Sequence, residues 1–381
     1  MRVPFFRHGL GRPELRRLAR VLQGPILTTG EEVFEFERKF SRFLGLPDTV
    51  ACTSWTGAAH ISLAALGVGP GDEVILPVLT FVASATAILQ AGATPVFVDV
   101  EASTGNLDPA LAEKAITRKT KAILPVHLYG QMADMRAIHR LARKHRLKVV
   151  EDAAHCIEGV RDGIRPGQLS DAVCFSFFAT KNLACGEGGA VSFRDRSLSQ
   201  PLRLLRLHGM TKTSYDREKE GFQPWDMVAF GWKYNMDNIH ASLLLPQLTR
   251  IRKNHALRKQ RTRWYEEELR ALPGIELFPR IPNSVHARHL FPILVPPGQR
   301  NEIIRRLRKR GVDTTVNYRP VHLLSFFRRQ ARWRKARFPV AEALGERLVS
   351  LPFYPRLRRP EADHVVRSLR LVLGELSASA R

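Results

Sequence analysis

The chain has few cysteines, and its first residues do not form an unbroken apolar stretch. Four cysteines occur in 381 residues, and none forms a C-x-x-C pair: Cys52, Cys156, Cys174 and Cys185. This spacing argues against a disulfide framework and a structural zinc site, so we expect buried thiols and no metal ion. Residues 1–17 carry charges and prolines where a signal peptide needs an unbroken apolar stretch. We therefore expect a cytoplasmic protein.

One long stretch, residues 74–98, lacks charge altogether and is long enough for a membrane span. Turn-forming residues interrupt it, among them Pro77, Gly92 and Pro95. They would break a spanning helix and instead divide the stretch into a strand, a turn, a helix and a second strand. We therefore expect a buried α/β core here and no membrane partner.

Acidic residues are scarce relative to basic ones. The chain has 60 Lys+Arg against 36 Asp+Glu, which gives a formal charge of +24 and a general attraction for anions. The segment FFRRQARWRKARF (326–338) combines arginine with aromatic residues, as some nucleic-acid surfaces do. No nucleic-acid-binding motif accompanies it, so we favour a solvated, arginine-rich helix face and expect no specific nucleic-acid partner.

Short β-branched segments alternate with helical patterns between residues 49 and 193. This order is typical of an α/β fold with a mostly parallel sheet, whose ligands collect at the carboxyl ends of the strands. The predicted strands are TVACT, EVILP, TPVFVDV, KAILPV, LKVVED, AVCFSF and AVSF. The predicted helices between them span residues 58–66, 83–91 and 135–146.

Beyond the alternating region, residues 240–270 predict one long helix, interrupted near Pro246. Fewer strands follow it, in HLFPILV and TTVNY. We place a domain boundary near residue 250. The prediction is a large domain (1–250) that includes an N-terminal arm, and a smaller C-terminal α+β domain (251–381).

Two residues near predicted strand ends suit Schiff-base chemistry. Strand LKVVED ends at Asp152, and a glycine-rich connection after AVCFSF presents Lys181 to the same crevice. A desolvated lysine loses its proton more easily and can attack an aldehyde, while a carboxylate keeps a pyridinium nitrogen protonated. By itself Lys181 fits a solvated surface lysine better. The opposed carboxylate favours the catalytic interpretation.

An anion site is predicted where strand TVACT gives way to a helix. Ser54, Thr56 and Gly57 fall at the N-terminal turn of that helix, where unpaired N–H groups and the helix dipole favour a phosphate. An ordinary helix cap explains the same residues. Ser176 offers another hydroxyl, and Phe81 is placed to cover a ring face, although phenylalanine after a strand is usually a core residue.

Taken together, these motifs resemble the DegT/DnrJ/EryC1/StrS family of pyridoxal-phosphate (PLP) sugar aminotransferases, of the fold-type I superfamily. The resemblance covers nearly the whole chain, and its most specific block is CFSFFATKNLACGEGGAVSF (174–193). Further matching blocks in family order lie at residues 69–100, 119–135, 149–159, 231–248 and 338–355. The implied fold is a fold-type I PLP-dependent transferase.

The resemblance implies a role for each matching residue. Lys181 would bind the cofactor covalently and move a proton during catalysis, and Asp152 would pair with the pyridinium nitrogen. His155 would lie beside the cofactor ring, and Phe81 would stack on it. The residues implied at the cofactor's phosphate are Ser54, Trp55, Thr56 and Ser176.

A second set of residues is implied to complete the site. Lys233 and Asn235 of GWKYN match the segment that reaches into the partner subunit's site, which implies a homodimer with shared active sites. Tyr318 and His322 are expected in the substrate pocket. Asn317 stands where many relatives carry histidine, so we expect a different sugar contact there.

One departure concerns Trp55, which stands where the family usually has a small residue. The backbone reaches a phosphate there only if the indole points away, and Ala59 and Ser62 leave room for the indole. The predicted function is transfer of an amino group, from glutamate, to the ketone of a nucleotide-linked deoxy sugar, at C4 in preference to C3.

Several alternatives remain open. A scyllo-inosose-type cyclitol aminotransferase would use the same chemistry, and a sugar dehydratase of the same fold would carry histidine in place of Lys181. A non-catalytic PLP-binding sensor and a basic nucleic-acid-binding protein belong to different classes. An absorbance spectrum with and without glutamate separates these classes from a transaminase, which converts PLP to its aminated form, PMP.

Overall fold

The computed structural model describes residues 1–221 and 224–379. Its α-helices are α1 Arg12–Gln23, α2 Glu31–Leu44, α3 Trp55–Ala65, α4 Ala83–Gln90, α5 Pro109–Lys114, α6 Met135–His145, α7 Ser199–Leu205, α8 Ser214–Glu220, α9 Asn238–Thr249, α10 Ile251–Leu269, α11 Arg300–Lys309, α12 Ser325–Arg328, α13 Ala331–Arg334, α14 Pro339–Arg347 and α15 Arg359–Ser379. Its strands are β1 Asp48–Cys52, β2 Glu73–Pro77, β3 Thr94–Val98, β4 Thr120–Ile123, β5 Lys148–Asp152, β6 Val160–Arg161, β7 Ala172–Ser176, β8 Gly189–Phe193, β9 Ser284–Val285, β10 Phe291–Leu294 and β11 Leu348–Leu351.

Among the described residues, seven strands form the central sheet, in the order β1-β8-β7-β5-β4-β2-β3. Neighbouring strands from β7 to β3 are parallel, whereas β8 is antiparallel to both β1 and β7. Strands β2, β7 and β8 are buried along their whole length. Their mostly apolar sequences therefore reflect burial on both faces of the sheet. The predicted α/β fold with a mostly parallel sheet is confirmed.

The parallel strands place their carboxyl ends at one edge of the sheet. Strand β5 ends at Asp152, which is paired with Cys174 of the adjacent strand β7, and β7 ends two residues later at Ser176. The turn into α3 lies beyond β8, at the far side of the same crevice. The candidate site lies at this edge of the sheet.

The predicted long helix over residues 240–270 is interrupted at a different residue. Helix α9 continues through Pro246, and the helical geometry is lost only at Arg250. Helix α9 packs on α1 and α2, whereas α10 packs on α15, so the chain changes direction between two packing partners. The guanidinium of Arg250 pairs with Glu14 of α1 at 2.6 Å. The expected break near Pro246 is therefore wrong.

The second predicted strand of the C-terminal region is also wrong. HLFPILV contains β10, which pairs antiparallel with β11, but TTVNY contributes a single bridge, between Thr315 and Ser350. The backbone carbonyl of Asn317 accepts a hydrogen bond from the Tyr129 hydroxyl. Because this carbonyl bonds to a side chain of another segment, strand pairing does not continue through residue 317.

A separate hydrophobic core contains Val3 together with residues drawn from 265 to 373. The N-terminal arm is tied to this core because the N–H of Val3 donates to the Gly311 carbonyl at 2.8 Å, and Asp313 N–H donates to the Val3 carbonyl at 3.0 Å. The arm therefore crosses from the first helices to the second core. The domain boundary near residue 250 stays a prediction.

Every helix in the described part of the chain is too short or too polar to cross a membrane.

The arginine-rich segment 326–338 is attached to the core by two aromatic side chains. Phe327 and Trp333 are buried, and the centroids of their rings lie 5.5 and 5.8 Å from that of Phe97. These two aromatic residues therefore anchor the segment to the core and do not face solvent.

Candidate active site

A cavity of about 480 Å³ lies at the carboxyl edge of the sheet. Ten of the residues predicted from the sequence line it: Ser54, Trp55, Thr56, Phe81, Asp152, His155, Ser176, Lys181, Asn317 and Tyr318. The structure thus brings together residues that are up to 264 positions apart in the chain. Their individual roles stay predictions.

Lys181 is held in the cavity wall by a closed loop between β7 and β8. The N–H of Lys181 donates to the Phe178 carbonyl at 2.9 Å, and the loop closes where Phe177 N–H meets the Gly188 carbonyl at 2.8 Å. Gly186 has a φ of 97°, a conformation that favours glycine. Removal of water by the surrounding protein lowers the pKa of Lys181 to about 8, although the negative charge of Asp152 opposes the shift. A lysine with this pKa is a usable nucleophile near neutral pH.

Asp152 is buried at the end of β5, and its carboxylate accepts two hydrogen bonds. The Ser84 hydroxyl donates to Oδ2 at 2.9 Å, and the N–H of Ala154 donates to Oδ1 at 3.0 Å. Burial raises the pKa of Asp152, while these two hydrogen bonds and the charge of Lys181 lower it. A cationic ring nitrogen placed against this carboxylate would stabilise the ionised form of Asp152.

His155 is held in one neutral form by its neighbours. The backbone N–H of Tyr129 donates to Nδ1 at 3.1 Å, so Nδ1 acts as an acceptor. Burial lowers the pKa of His155 well below its usual value, and the charge of Lys181 acts in the same direction. The proton of the neutral ring therefore lies on Nε2, which donates to the Tyr318 hydroxyl at 3.1 Å. The hydroxyl proton of Tyr318 is then free to reach an acceptor in the cavity.

The predicted phosphate turn begins α3. Ser54 caps the helix, because its Oγ accepts the Gly57 N–H at 3.0 Å, and the helix starts at Trp55, three residues before the predicted start. The first N–H groups of a helix lack partners within it and suit an anion. A Cβ on Gly189 would lie 2.3 Å from the Ser54 carbonyl carbon, so glycine is required for this strand to approach the turn.

The Trp55 indole packs into the core beneath the turn. Its Nε1–H donates to the Cys174 carbonyl at 3.2 Å, and the Ser62 hydroxyl lies 3.5 Å from the sulfur of the same cysteine. Trp55, Ala59 and Ser62 are all buried. The indole is therefore directed into the core, and the role of Ala59 and Ser62 in leaving room for it stays a prediction.

Aromatic rings cover one side of the cavity. Phe81 is 55% exposed, and its ring centroid lies 5.6 Å from that of Tyr318. This exposure excludes the interpretation of Phe81 as a core residue, because a core phenylalanine would be buried, and its stacking on a cofactor ring stays a prediction. Phe178, also partly exposed, lines the same cavity. A flat ring bound between these residues and Asp152 would contact apolar surface on one face.

His322 does not line the cavity, contrary to expectation. The N–H of Val321 donates to the Val78 carbonyl at 2.9 Å, which anchors a short turn. That turn buries His322 against Phe338, and its Nε2 bonds to Glu342 at 3.0 Å. The turn therefore directs His322 away from Tyr318, although the two residues are close in sequence.

Lys233 and Asn235 also lie outside the cavity of their own chain. The Lys233 ammonium donates to the Asn235 side-chain oxygen at 2.5 Å, and the Asn235 amide donates to the Thr29 hydroxyl at 2.8 Å. Lys233 is exposed, whereas Asn235 is buried. Their predicted contribution to a partner subunit's site stays a prediction.

Several cavity residues were missed from the sequence: Phe5, Thr80, Ser84, Thr180, Glu187 and Thr315. Ser84 and Thr80 follow strand β2, and hydroxyl residues after a strand end are a signal that could have identified them. Phe5 comes from the N-terminal arm, and the sequence holds no local signal that places it in this cavity. Glu187 lies between two glycines of the predicted lysine loop.

The side chains present fit a PLP-type cofactor. One cavity wall offers an amine of lowered pKa, another a buried carboxylate, and a third a capped helix turn rich in hydroxyls. These groups suit an aldehyde, a ring nitrogen and a phosphate, respectively. The cavity volume also falls within the range of small-molecule sites.

Comparisons with known proteins point to the same chemistry. The model of the DegT/DnrJ/EryC1/StrS aminotransferase family matches residues 10–370. The spore coat polysaccharide biosynthesis protein SpsC of Bacillus subtilis (strain 168) is 36% identical over 375 residues, which cover 97% of this chain and 96% of SpsC. Two solved structures are similar over nearly the whole chain. S. venezuelae DesV in complex with a ketimine intermediate is 37% identical with a TM-score of 0.89, covering 97% of this chain and 98% of DesV. NtdA of Bacillus subtilis with bound PMP is 31% identical with a TM-score of 0.87, and the match covers 98% of this chain and 85% of NtdA.

Proposed function

Since the chain belongs to the DegT/DnrJ/EryC1/StrS aminotransferase family and uses pyridoxal phosphate, we propose that its substrate is a nucleotide-linked keto deoxy sugar. Glutamate is the proposed amino donor, and C4 of the sugar is favoured over C3. The observation that carries the proposal is Lys181, whose pKa is lowered to about 8, in one cavity with the buried carboxylate of Asp152. A dehydratase of this fold would lack the lysine.

Each residue of the proposed site has a separate role in the reaction. When bound, the cofactor supplies the electron sink for cleavage of the donor's Cα–H bond. Lys181 anchors the cofactor and, once released, moves a proton at its Nζ. Asp152 keeps the ring nitrogen charged, and the Ser54–Thr56 turn binds the phosphate. Neutral His155 orients the Tyr318 hydroxyl toward the cavity.

Substrate recognition is supported by one cavity residue with an unsatisfied polar atom and by a nearby positive charge. The side-chain oxygen of Asn317 is buried and has no hydrogen-bond partner among the described residues, although Asn317 lines the cavity. A buried polar atom in this situation costs free energy unless a ligand satisfies it. A sugar hydroxyl would do so. Arg319, exposed directly after Tyr318, would attract the anionic diphosphate.

A homodimer with shared sites is supported by the surface beside Lys233. Trp225, Met227, Val228 and Phe230 are each more than half exposed. Contiguous apolar residues of this kind mark interaction surfaces. A second copy of the chain that covers these residues would also cover the neighbouring Lys233, as the proposed sharing of active sites requires.

The proposed function is tested in two stages. Purified protein loaded with PLP is mixed with glutamate, and the absorbance change to PMP is followed. The aminated enzyme is then offered a panel of nucleotide-linked 3-keto and 4-keto sugars, with scyllo-inosose as the cyclitol alternative. Mass spectrometry and NMR of the product identify the carbon that gains the amino group. The proposal fails if glutamate converts the cofactor but no keto sugar nucleotide returns it to PLP, or if only the cyclitol does.

A further inference from the structure

Tyr129 is buried where three segments of the chain meet behind the cavity. Its backbone N–H donates to His155 at 3.1 Å, and its backbone carbonyl accepts from the N–H of His289 at 3.1 Å. Its hydroxyl donates to the backbone carbonyl of Asn317. One residue therefore connects the histidine of the cofactor site, a segment of the C-terminal region and the loop that carries Asn317 and Tyr318.

The backbone of Tyr129 adopts an uncommon conformation to make these contacts. Its φ is 59° and its ψ is −3°, in the left-handed region that bulky residues rarely occupy. The following residue, Gly130, is closely surrounded by backbone atoms. A Cβ at this position would lie 2.9 Å from the Arg288 nitrogen and 3.1 Å from the His155 carbonyl oxygen. Strained backbone persists where the surrounding structure holds it, and it concentrates at functional sites.

We propose that Tyr129 is a positioning residue for the keto-sugar half-reaction, acting through its hydroxyl on the Asn317–Tyr318 loop. The inference rests on the proposed function, because it assigns that loop to the sugar. Among the described residues, the backbone of this segment bridges to its neighbours at Val312 and at Thr315, both before residue 317. The side chain of Tyr318 meets His155 at 3.1 Å, and the Tyr129 hydroxyl is the tie to the loop backbone. It is placed at the residue whose own side-chain oxygen is buried without a hydrogen-bond partner among the described residues.

Two of the three contacts of Tyr129 serve different half-reactions, because one holds His155 of the cofactor site and the other holds Asn317 of the sugar loop. His155 is held by the backbone N–H of Tyr129, which a Tyr129→Phe substitution leaves intact. The hydroxyl bond to Asn317 is the contact that the substitution removes. Glutamate should therefore convert the cofactor at the wild-type rate, while the loop that receives the sugar becomes less ordered.

Tyr265→Phe is a matched control. Tyr265 is also fully buried, and its hydroxyl donates to the Pro352 backbone carbonyl at 2.8 Å. This bond lies in the core of Val3 and the C-terminal residues, and Tyr265 does not line the active-site cavity. Both substitutions delete one buried O–H···O=C bond, so a purely structural effect would appear in both.

The experiment compares wild type, Tyr129→Phe and Tyr265→Phe as full-length proteins. Hydrogen exchange by mass spectrometry on the cofactor-free proteins reports the order of residues 312–320. Single-turnover absorbance measurements then report each half-reaction. We expect faster exchange in residues 312–320 for Tyr129→Phe alone. We also expect a KM for the keto sugar raised about tenfold, with kcat and the glutamate half-reaction within about twofold of wild type.

Unchanged exchange in residues 312–320 would overturn the inference. An equal loss in both half-reactions, or the same kinetic change in Tyr265→Phe, would overturn it too, because each indicates a general structural effect. If wild type aminates no keto sugar, the proposed function fails while the exchange measurement still decides whether Tyr129 orders the loop. The two failures are thus distinguishable.

Discussion

The hydroxyl of Ser84 donates a hydrogen bond of 2.9 Å to the carboxylate of Asp152. Ser84 is fully buried in α4, and its own oxygen lies 2.9 Å from the Thr80 hydroxyl. The contact with Thr80 therefore orients the Ser84 hydroxyl so that its proton points to Asp152. Because burial raises the pKa of Asp152 and this bond lowers it, Ser84 helps to keep the carboxylate ionised.

Replacing Ser84 should make Asp152 harder to ionise. In Ser84→Ala we expect the acidic limb of the glutamate half-reaction to move to higher pH, because a hydrogen bond that favours the charged form is lost. A bond to a charged group contributes about 1.5–3 kcal/mol, so the rate near neutral pH should fall by about 10- to 100-fold. Thr86→Ala, on the same helix with its hydroxyl on the Ala83 carbonyl, is the control. An unshifted acidic limb in Ser84→Ala would contradict this role.

Replacing Lys181 should abolish turnover without unfolding the protein. One side chain supplies both the covalent anchor and the mobile proton, so we expect Lys181→Ala to lose at least about 10³-fold in rate. Borohydride should fix the cofactor to the wild-type peptide that contains Lys181. Lys144→Ala removes an exposed lysine paired with Glu113, and it should retain wild-type activity. Labelling of another lysine would refute the assignment.

The cofactor-free enzyme should capture PLP with a pH dependence set by Lys181. Below a pKa of about 8 the side chain is an ammonium, and above it the neutral amine can attack, so the capture rate should rise with pH through about 8. The negative charge of Asp152 raises the pKa of Lys181, in opposition to burial. Asp152→Asn removes this charge, so the midpoint of the capture rate should move to lower pH. Stopped-flow absorbance across a pH series measures both midpoints. A midpoint near the ordinary lysine value, or an upward shift in the variant, would be inconsistent with the geometry.

Mixed dimers should reveal whether subunits share active sites. If Lys233 completes the partner subunit's site, Lys233→Ala and Lys181→Ala homodimers should both be impaired. Randomly exchanged subunits should then recover about a quarter of wild-type activity, because half of the dimers contain one intact site of two. Native mass spectrometry verifies the exchange. Absence of recovery after verified exchange would exclude cross-subunit completion.

The sequence alone determined which short-range features carry the chemistry. The ends of β5 and β7, the glycines around Lys181 and the Ser54 cap depend on neighbours within a few residues, so local patterns predict them. Parallel strands then bring their carboxyl ends to one edge by the geometry of the fold. For this reason the sequence alone predicts that Asp152 and Lys181 face each other.

Tertiary structure decided what surrounds that pair. Ser84 meets Asp152 across 68 residues, and Tyr129 meets Asn317 across 188, and no periodicity in the sequence encodes such separations. The exclusion of His322 has the same origin, because the bond from its turn to Val78 sets the direction of its side chain. Contacts of this kind form only when separate elements pack against one another, and packing depends on the shapes of all the elements together.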